Sequence, residues 1–255
     1  MKATIKMIED FSLNAWPSHQ MQVYDGWIIR FSHFYTHRTN SIEELGLSTL
    51  PLEEKIPYCE QIYRRWNTPA IFKITPISNP ALDSLLTDRG YHIEHATDVM
   101  TMDLSNTNII EETRDFSVNT RDYISKSWID SLFRLKRTTN PVHKKIVPSM
   151  YAAIPKDVIA ASIKENGVRV ATGLGILDRD YIGIYAIHVE EEFRHRGYAR
   201  AIVETLLTKG KEAGASKAYL QVVSDNTAAK HLYRKIGFRK LYSYWFRVKK
   251  NTGQN

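Results

Sequence analysis

The sequence predicts an α/β (α+β) chain built from two similar blocks. Three observations lead there. Short apolar, strand-like runs alternate with amphipathic, helix-like segments along the 255 residues. A polar stretch, Leu104 to Asp115, separates the chain into two parts. One spacing pattern also occurs twice. Asn79, Ala81, Leu85, Gly90 and Tyr91 lie at offsets of 2, 6, 11 and 12, and Asn226, Ala228, Leu232, Gly237 and Phe238 repeat those offsets, each set after a short apolar run. The expected division is 1–104 for the first domain, 105–115 for a linker, 116–250 for the second domain and 251–255 for a polar tail.

In the first block, Gln22 to Phe31 reads as a strand with Asp25-Gly26 as a turn or bulge. Leu52 to Trp66 reads as a helix, because Ile56, Cys59, Ile62 and Tyr63 recur at spacings of three and four. Ala70 to Thr75 is a short strand. Pro80 to Asp88 is a short helix, capped by Asn79, opened by Pro80 and stopped by Gly90. Tyr91 to Leu104 closes the block as a strand.

The second block opens with a short strand near Phe116 to Val118, then helices near Arg121 to Arg137 and Val142 to Ala153. Three strands follow: Asp157 to Lys164, Val168 to Leu177 and Tyr181 to Val189. The last is apolar on both faces and therefore expected at the centre of the sheet. Ala199, Ile202, Val203, Leu206 and Leu207 form one stripe of a helix. A strand, Ser216 to Val223, a helix, Asn226 to Ile236, and a final strand, Phe238 to Val248, complete the block.

The balance of 43% hydrophobic and 25% charged residues is that of a globular protein. The single cysteine, Cys59, cannot form an internal disulfide, which suits a reducing compartment. Met1 to Phe11 mixes charged and apolar residues and does not read as a signal peptide, and no apolar run approaches the roughly 18 residues of a membrane helix. The expectation is a cytoplasmic protein without membrane partners. The net charge of +7 favours an anionic partner. Phosphorylated cofactor, nucleic acid and a solvated basic surface all fit that number. No recognition helix or zinc pattern supports nucleic acid. No metal site is expected.

The charge is concentrated at Arg194-His195-Arg196-Gly197-Tyr198-Ala199, with Arg200 beyond, between the buried strand and the amphipathic helix. A helix start leaves backbone N–H groups without partners and carries partial positive charge, so it binds phosphates. Gly197 removes a side chain that would keep an anion from the backbone.

The block from about Asp115 to Lys249 resembles the GNAT superfamily of acyl-CoA N-acyltransferases. Arg194, Gly197 and Ala199 fill that superfamily's pyrophosphate loop. Asn226, Leu232-Tyr233 and Gly237-Phe238 fill its second pattern. The first block resembles a degenerate copy, as in tandem members of the superfamily. The resemblance implies two domains, each a mixed, mostly antiparallel sheet flanked by helices. It implies acetyl-CoA as co-substrate and a primary amine acceptor: a small molecule, an amino acid or a protein amine. The pantetheine arm would lie along Ile187, His188 and Val189, in a gap beside the central strand. The backbone of His195 to Arg200 would hold the pyrophosphate, with Arg194 and Arg196 adding charge. Asn226 would reach the cofactor while also capping its helix.

Tyr233 would stabilise or protonate the departing thiolate, since a thiol pKa lies near 8.5 and a tyrosine pKa near 10. The N–H of Val189 would face the oxyanion. The superfamily often carries a glutamate base on the central strand, but Tyr181 to Tyr185 has no carboxylate. Glu190, Glu191, Glu192, His188 and a water relay through Tyr185 stay open as alternatives. In the first block Leu86 stands where Tyr233 would fall, and Gly46 to Glu53 lacks both arginine and the glycine loop. That copy is expected to wall the acceptor pocket or stabilise the second domain rather than bind CoA, with the polar segment Thr36 to Ser41 facing a ligand. The alternative function is a non-catalytic acyl-CoA sensor. The oligomeric expectation is monomer or homodimer.

Overall fold

The computed structural model describes residues 1–105 and 115–249. Most of the linker, 106–114, and the polar tail, 251–255, lie outside the described residues.

The first half runs α1 (Lys2–Ala15), β1 (Gln20–Tyr24), β2 (Trp27–Phe31), β3 (Ile42–Glu44), α2 (Leu52–Arg65), β4 (Ile71–Ile74), α3 (Pro80–Asp88) and β5 (Tyr91–Asp103). The second runs β6 (Asn119–Arg121), α4 (Lys126–Leu135), α5 (Pro141–Ala152), β7 (Val158–Glu165), β8 (Val168–Asp178), β9 (Tyr181–Val189), α6 (Tyr198–Glu212), β10 (Lys217–Val223), α7 (Thr227–Ile236) and β11 (Arg239–Lys249).

Among the described residues all eleven strands form one sheet in the order β1-β2-β3-β4-β11-β5-β10-β9-β8-β7-β6. The halves are related through its centre. In each, two antiparallel pairings lead to one parallel pairing: β1-β2-β3 then β3-β4, and β7-β8-β9 then β9-β10. The last strand of each half then crosses over. β5 pairs with β10 and β11, both from the second half, while β11 pairs with β4 and β5 of the first. The repeated cap-and-stop pattern explains the symmetry locally. Asn79 accepts from the Ala81 N–H and Asn226 from the Ala229 N–H, and Gly90 and Gly237 take φ of +82° and +127°.

The strand exchange ties the cores together. Met100, Met102 and Leu104, at the end of the first half, pack with Ile202, Leu206, Leu220 and Phe238 of the second. Helix α6 covers this face of β8 and β9. The other face carries α1, whose Ile5, Ile8 and Phe11 meet Tyr181 and Tyr219, and α4 and α5, whose Trp128, Leu132 and Met150 meet Leu174 and Ile176.

The sheet is mixed and mostly antiparallel as expected, but the halves share one sheet rather than holding one each, because β5 and β11 pair across them. The helix expected near Arg121 to Arg137 is Lys126–Leu135, because Arg121 belongs to β6. The fold differs from the sequence reading in four further places. Gln22 to Phe31 is not one strand but the hairpin β1-β2. Asp25 and Gly26 both take positive φ, 43° and 76°, which makes the two-residue turn that reverses the chain. The expected strand near Phe116 to Val118 lies at Asn119–Arg121 instead, because Phe116 is spent against the Tyr198 ring, 4.5 Å away. Helix α1 has no counterpart in the sequence reading, although Ile5, Ile8, Phe11 and Ala15 share one buried face. Strand β3 has none either, and three residues are too few to show a period.

Candidate active site

Strands β9 and β10 run parallel for four residue pairs, from Tyr181–Lys217 to Ile184–Leu220, and then part. Beyond that point β10 stays with β5 and β9 stays with β8. The parting coincides with a bulge in β9. Thr172 faces His188 and Leu174 faces Tyr185, so Gly173 opposes both Ala186 and Ile187. Ala186 takes a φ of +50°, and Thr172 Oγ1 donates to its carbonyl at 3.1 Å. A side chain at Gly173 would strike Ile202 at 2.3 Å, so glycine lets α6 lie close to the sheet opposite the bulge.

Past the bulge, the Glu190 N–H bonds to the Val170 carbonyl at 2.9 Å. In an antiparallel ladder alternate residues point their N–H and C=O the same way. The backbone groups of Ile187 and Val189 therefore face the gap, and those of His188 face β8.

Helix α6 starts beside this gap. Its first intrahelical bond runs from the Ala201 N–H to the Gly197 carbonyl. The N–H groups of His195, Arg196, Gly197, Tyr198 and Ala199 have no acceptor among the described residues. His195 and Gly197 both adopt positive φ, 63° and 79°. Space around Gly197 is open: a methyl group at its α-carbon would have no described atom within 4 Å. Its backbone conformation is therefore what demands glycine within the protein.

The corresponding place in the first half is closed. Before α2 the N–H groups of Thr49 and Leu50 both donate to the Asp25 carboxylate, at 2.9–3.0 Å. Lys55 lies 3.1 Å from the same group. The Leu50 and Thr49 amides hold the Asp25 carboxyl well below the usual carboxylate range. An anion from the protein itself thus fills the site that α6 leaves open.

The gap opens into a cavity of about 810 Å³, lined from the α6 start, through Ile187, His188 and Val189, to Trp16, Tyr35 and Arg38 of the first half. Its size suits a small-molecule site.

The family description "probable histone acetyltransferase Rv0428c C-terminal" matches residues 2–246. The chain belongs to this family. An uncharacterized N-acetyltransferase of Bacillus subtilis, YobR, is 26% identical over 249 residues, which is 96% of this chain and 99% of YobR. A GCN5-related N-acetyltransferase from Kribbella flavida superposes with a TM-score of 0.73 at 14% identity, over 98% of this chain and 96% of its own. A tandem GNAT protein from the clavulanic acid biosynthesis pathway gives 0.66 at 11% identity, over 84% and 76%. The fold is that of GNAT proteins in tandem arrangement, and the family to which the chain belongs is described as one of acetyltransferases.

In this GNAT framework most of the residues singled out from the sequence converge on the cavity. Ile187, His188, Val189, Arg194, His195, Gly197, Tyr198, Ala199, Arg200, Asn226 and Tyr233 all line it. Arg196 does not; its guanidinium lies over the Phe193 ring, 5.0 Å from the centroid. Tyr198 offers only backbone, since its ring packs on Phe193 and its hydroxyl bonds to Glu165. Arg200 bonds to Glu204 at 2.7 Å. Asn226 spends its side-chain oxygen on the Ala229 N–H at 3.0 Å.

Tyr233 is buried against Phe238, and its hydroxyl bonds no described residue. Burial pushes its pKa up to about 12. Burial, with Lys136 and Arg194 nearby, pushes the His188 imidazole down to about 4. The Tyr185 and Tyr219 hydroxyls bond each other, and burial raises both. Glu190 pairs with Arg134, and Glu191 with Arg137 at 2.7 Å; neither lines the cavity.

Sequence reasoning missed the far wall: Trp16, Tyr35, Lys136 and Tyr151. These lie at helix ends and in a loop, where no local period marks them. The polar segment Thr36 to Ser41 was the available signal, and Thr36 and Arg38 from it do line the cavity. Elsewhere, ligand atoms of His37, Glu94 and His95 lie within 4.8 Å of one another, but Glu94 is already bonded to His37 at 3.0 Å and His92 at 2.7 Å.

Proposed function

We propose that the protein moves an acetyl group from acetyl-CoA to an amine acceptor by direct attack of the amine on the thioester. One observation carries this reading: five consecutive N–H groups without described acceptors at the α6 start share a cavity with the open edge of β9. The amides, the helix dipole and Arg194 match a diphosphate. The outward groups of Ile187 and the Val189 carbonyl match the amides of a pantetheine arm. The Val189 N–H is then the donor for the oxyanion that forms as the amine adds.

Tyr233 is assigned to the leaving sulfur. With a pKa of about 12 it holds its proton at neutral pH. A thiol pKa near 8.5 makes complete transfer from Tyr233 to sulfur uphill by roughly three to four units. The hydroxyl therefore acts by donating a hydrogen bond to the developing thiolate.

No carboxylate lines the cavity among the described residues. Proton removal from the acceptor ammonium falls to neutral groups, His188 or water held by the Tyr185–Tyr219 pair. The first half, 1–104, serves as the acceptor-side wall, and 116–250 carries the cofactor and the chemistry. Because the His188 pKa is about 4, the imidazole stays neutral down to about pH 5. The acidic fall in kcat/KM is expected to follow the acceptor's own amine pKa, near 10.4 for an alkyl amine. A limb that stays fixed when acceptors of different basicity are compared would assign it to the protein.

The absent carboxylate also favours a second reading, an acyl-CoA sensor that binds without turnover. Thiol release from acetyl-CoA across a broad amine panel separates the two. The transfer reading requires amine-dependent release. A sensor would bind CoA and release no thiol with any amine.

A further inference from the structure

Resting on the transfer reading, we infer that the acceptor is a small amine that also carries a carboxylate and an apolar body, and that Arg38 binds the carboxylate.

Behind the cavity lies a buried cluster holding two carboxylates, Glu9 and Glu43. Lys73 bonds to Glu9 and lies 3.2 Å from Glu43, and Arg30 lies 3.5 Å from Glu43. Two cations thus already match two anions. Arg38 adds a third cation, and its electrostatic neighbours are Tyr244, Tyr185 and Glu9, the last already engaged. Its charge has no carboxylate of its own among the described residues.

Geometry aims that charge. Arg38 Nε donates to Tyr244 Oη at 2.9 Å, Tyr244 donates to Gln221 Oε1 at 2.7 Å, and Gln221 Nε2 donates to Ser12 Oγ at 2.6 Å. This chain, drawn from both halves, holds the guanidinium plane. The two terminal nitrogens bond no described residue. Arg38 is deeply set yet keeps partial exposure, because it lines the cavity. Such a fork is shaped for two parallel bonds to a carboxylate. Tyr244, Tyr185 and Glu9 hold the guanidinium charged despite its burial, and a ligand carboxylate on the two open nitrogens adds a charge-assisted pair that no described carboxylate makes.

The surroundings narrow the class. A second cation, Lys136, lines the same cavity, held by the Tyr35 hydroxyl at 2.8 Å. Trp16, Tyr35 and Tyr151 supply aromatic wall, with ring centroids 5.1–6.1 Å apart. The diphosphate end has its own donors at α6, so Arg38 is surplus to the cofactor. A lysine-rich peptide would bring cations against Arg38 and Lys136 and find no carboxylate on the cavity wall.

The test compares aromatic and aliphatic L-amino acids with their primary amides and with a lysine-rich peptide, by thiol release from acetyl-CoA. The acids are expected to exceed their amides in kcat/KM by about tenfold or more. Arg38→Gln is expected to erase that ratio, and Arg38→Lys to restore part of it; loss of structure alone would lower both rates and leave the ratio intact. Equal use of acid and amide by the unaltered protein, or preference for the peptide, overturns the inference whether or not the variants fold. Calorimetry of N-acetyl-L-phenylalanine and its amide with the CoA-loaded protein reads the subsite without turnover. Tighter binding of the acid supports it, and equal binding overturns it. Absence of thiol release with every amine would instead contradict the transfer reading.

Discussion

Tyr233→Phe is expected to lower kcat by about 100-fold while leaving the KM for acetyl-CoA within a few-fold of its original value. The substitution removes one oxygen and keeps the ring. The packing against Phe238, 6.1 Å between centroids, therefore survives. The hydroxyl bonds no described residue, so no partner is orphaned and folding stability should change little. On the proposed reading, what disappears is a donor aimed at charge that exists on sulfur only as the carbon–sulfur bond breaks. Loss of a single donor to a developing anion costs on the order of 10²–10³ in kcat. Steady-state kinetics check this, with a thermal melt to show that the variant is folded. Unchanged turnover would remove Tyr233 from the chemistry.

Arg194→Ala is expected to act on the other parameter. Arg194 lines the cavity just before the α6 start, and its side chain makes no hydrogen bond or ion pair with any described residue. A charge-assisted bond to a phosphate oxygen is worth about 1.5–3 kcal/mol, so its loss should raise the acetyl-CoA KM about 10- to 150-fold. The effect on kcat should be small, because the diphosphate does not change charge as the amine attacks. Exposure of Arg194 adds a salt dependence that the variant should lose. A KM that does not move would show that the diphosphate lies elsewhere.

Much of this site is legible in the sequence because its parts are local. A glycine before an amphipathic stripe, with arginines around it, marks a helix start whose amides are free to bind. Gly197 at a φ of +79° and the first helical bond at Ala201 show the physical content of that pattern. Asn226 and Gly237 are legible for the same reason, since a cap and a stop are read within one helix. The repeated spacing carries further, because it signals a duplicated topology that the pairing of β3 with β4 and of β9 with β10 reproduces.

The remainder depends on which segments become neighbours. Periodicity identifies a strand and its buried face but not the strand beside it. Nothing in Tyr91–Asp103 or Arg239–Lys249 says that each crosses to the other half. The bulge at Ala186 carries no residue signature, because alanine is an unexpected choice for a φ of +50°. The far wall of the cavity is tertiary throughout. Arg38 is one more polar residue in a loop until β11 brings Tyr244 beside it and β10 brings Gln221. The missing glycine loop of the first half is legible in Gly46 to Glu53. That Asp25 occupies the vacant amides depends on the hairpin turn, which the sequence alone presents as a feature within one strand.

The central claim is that the amides of His195 to Ala199 hold the diphosphate of CoA beside the parted strands. A crystal structure of the protein grown with CoA tests it most directly. Phosphate oxygens are expected within about 3 Å of those N–H groups, with the pantetheine arm alongside Ile187 and Val189. Diphosphate density at any other place on the protein, with that turn bonded to water or to the chain itself, would contradict it.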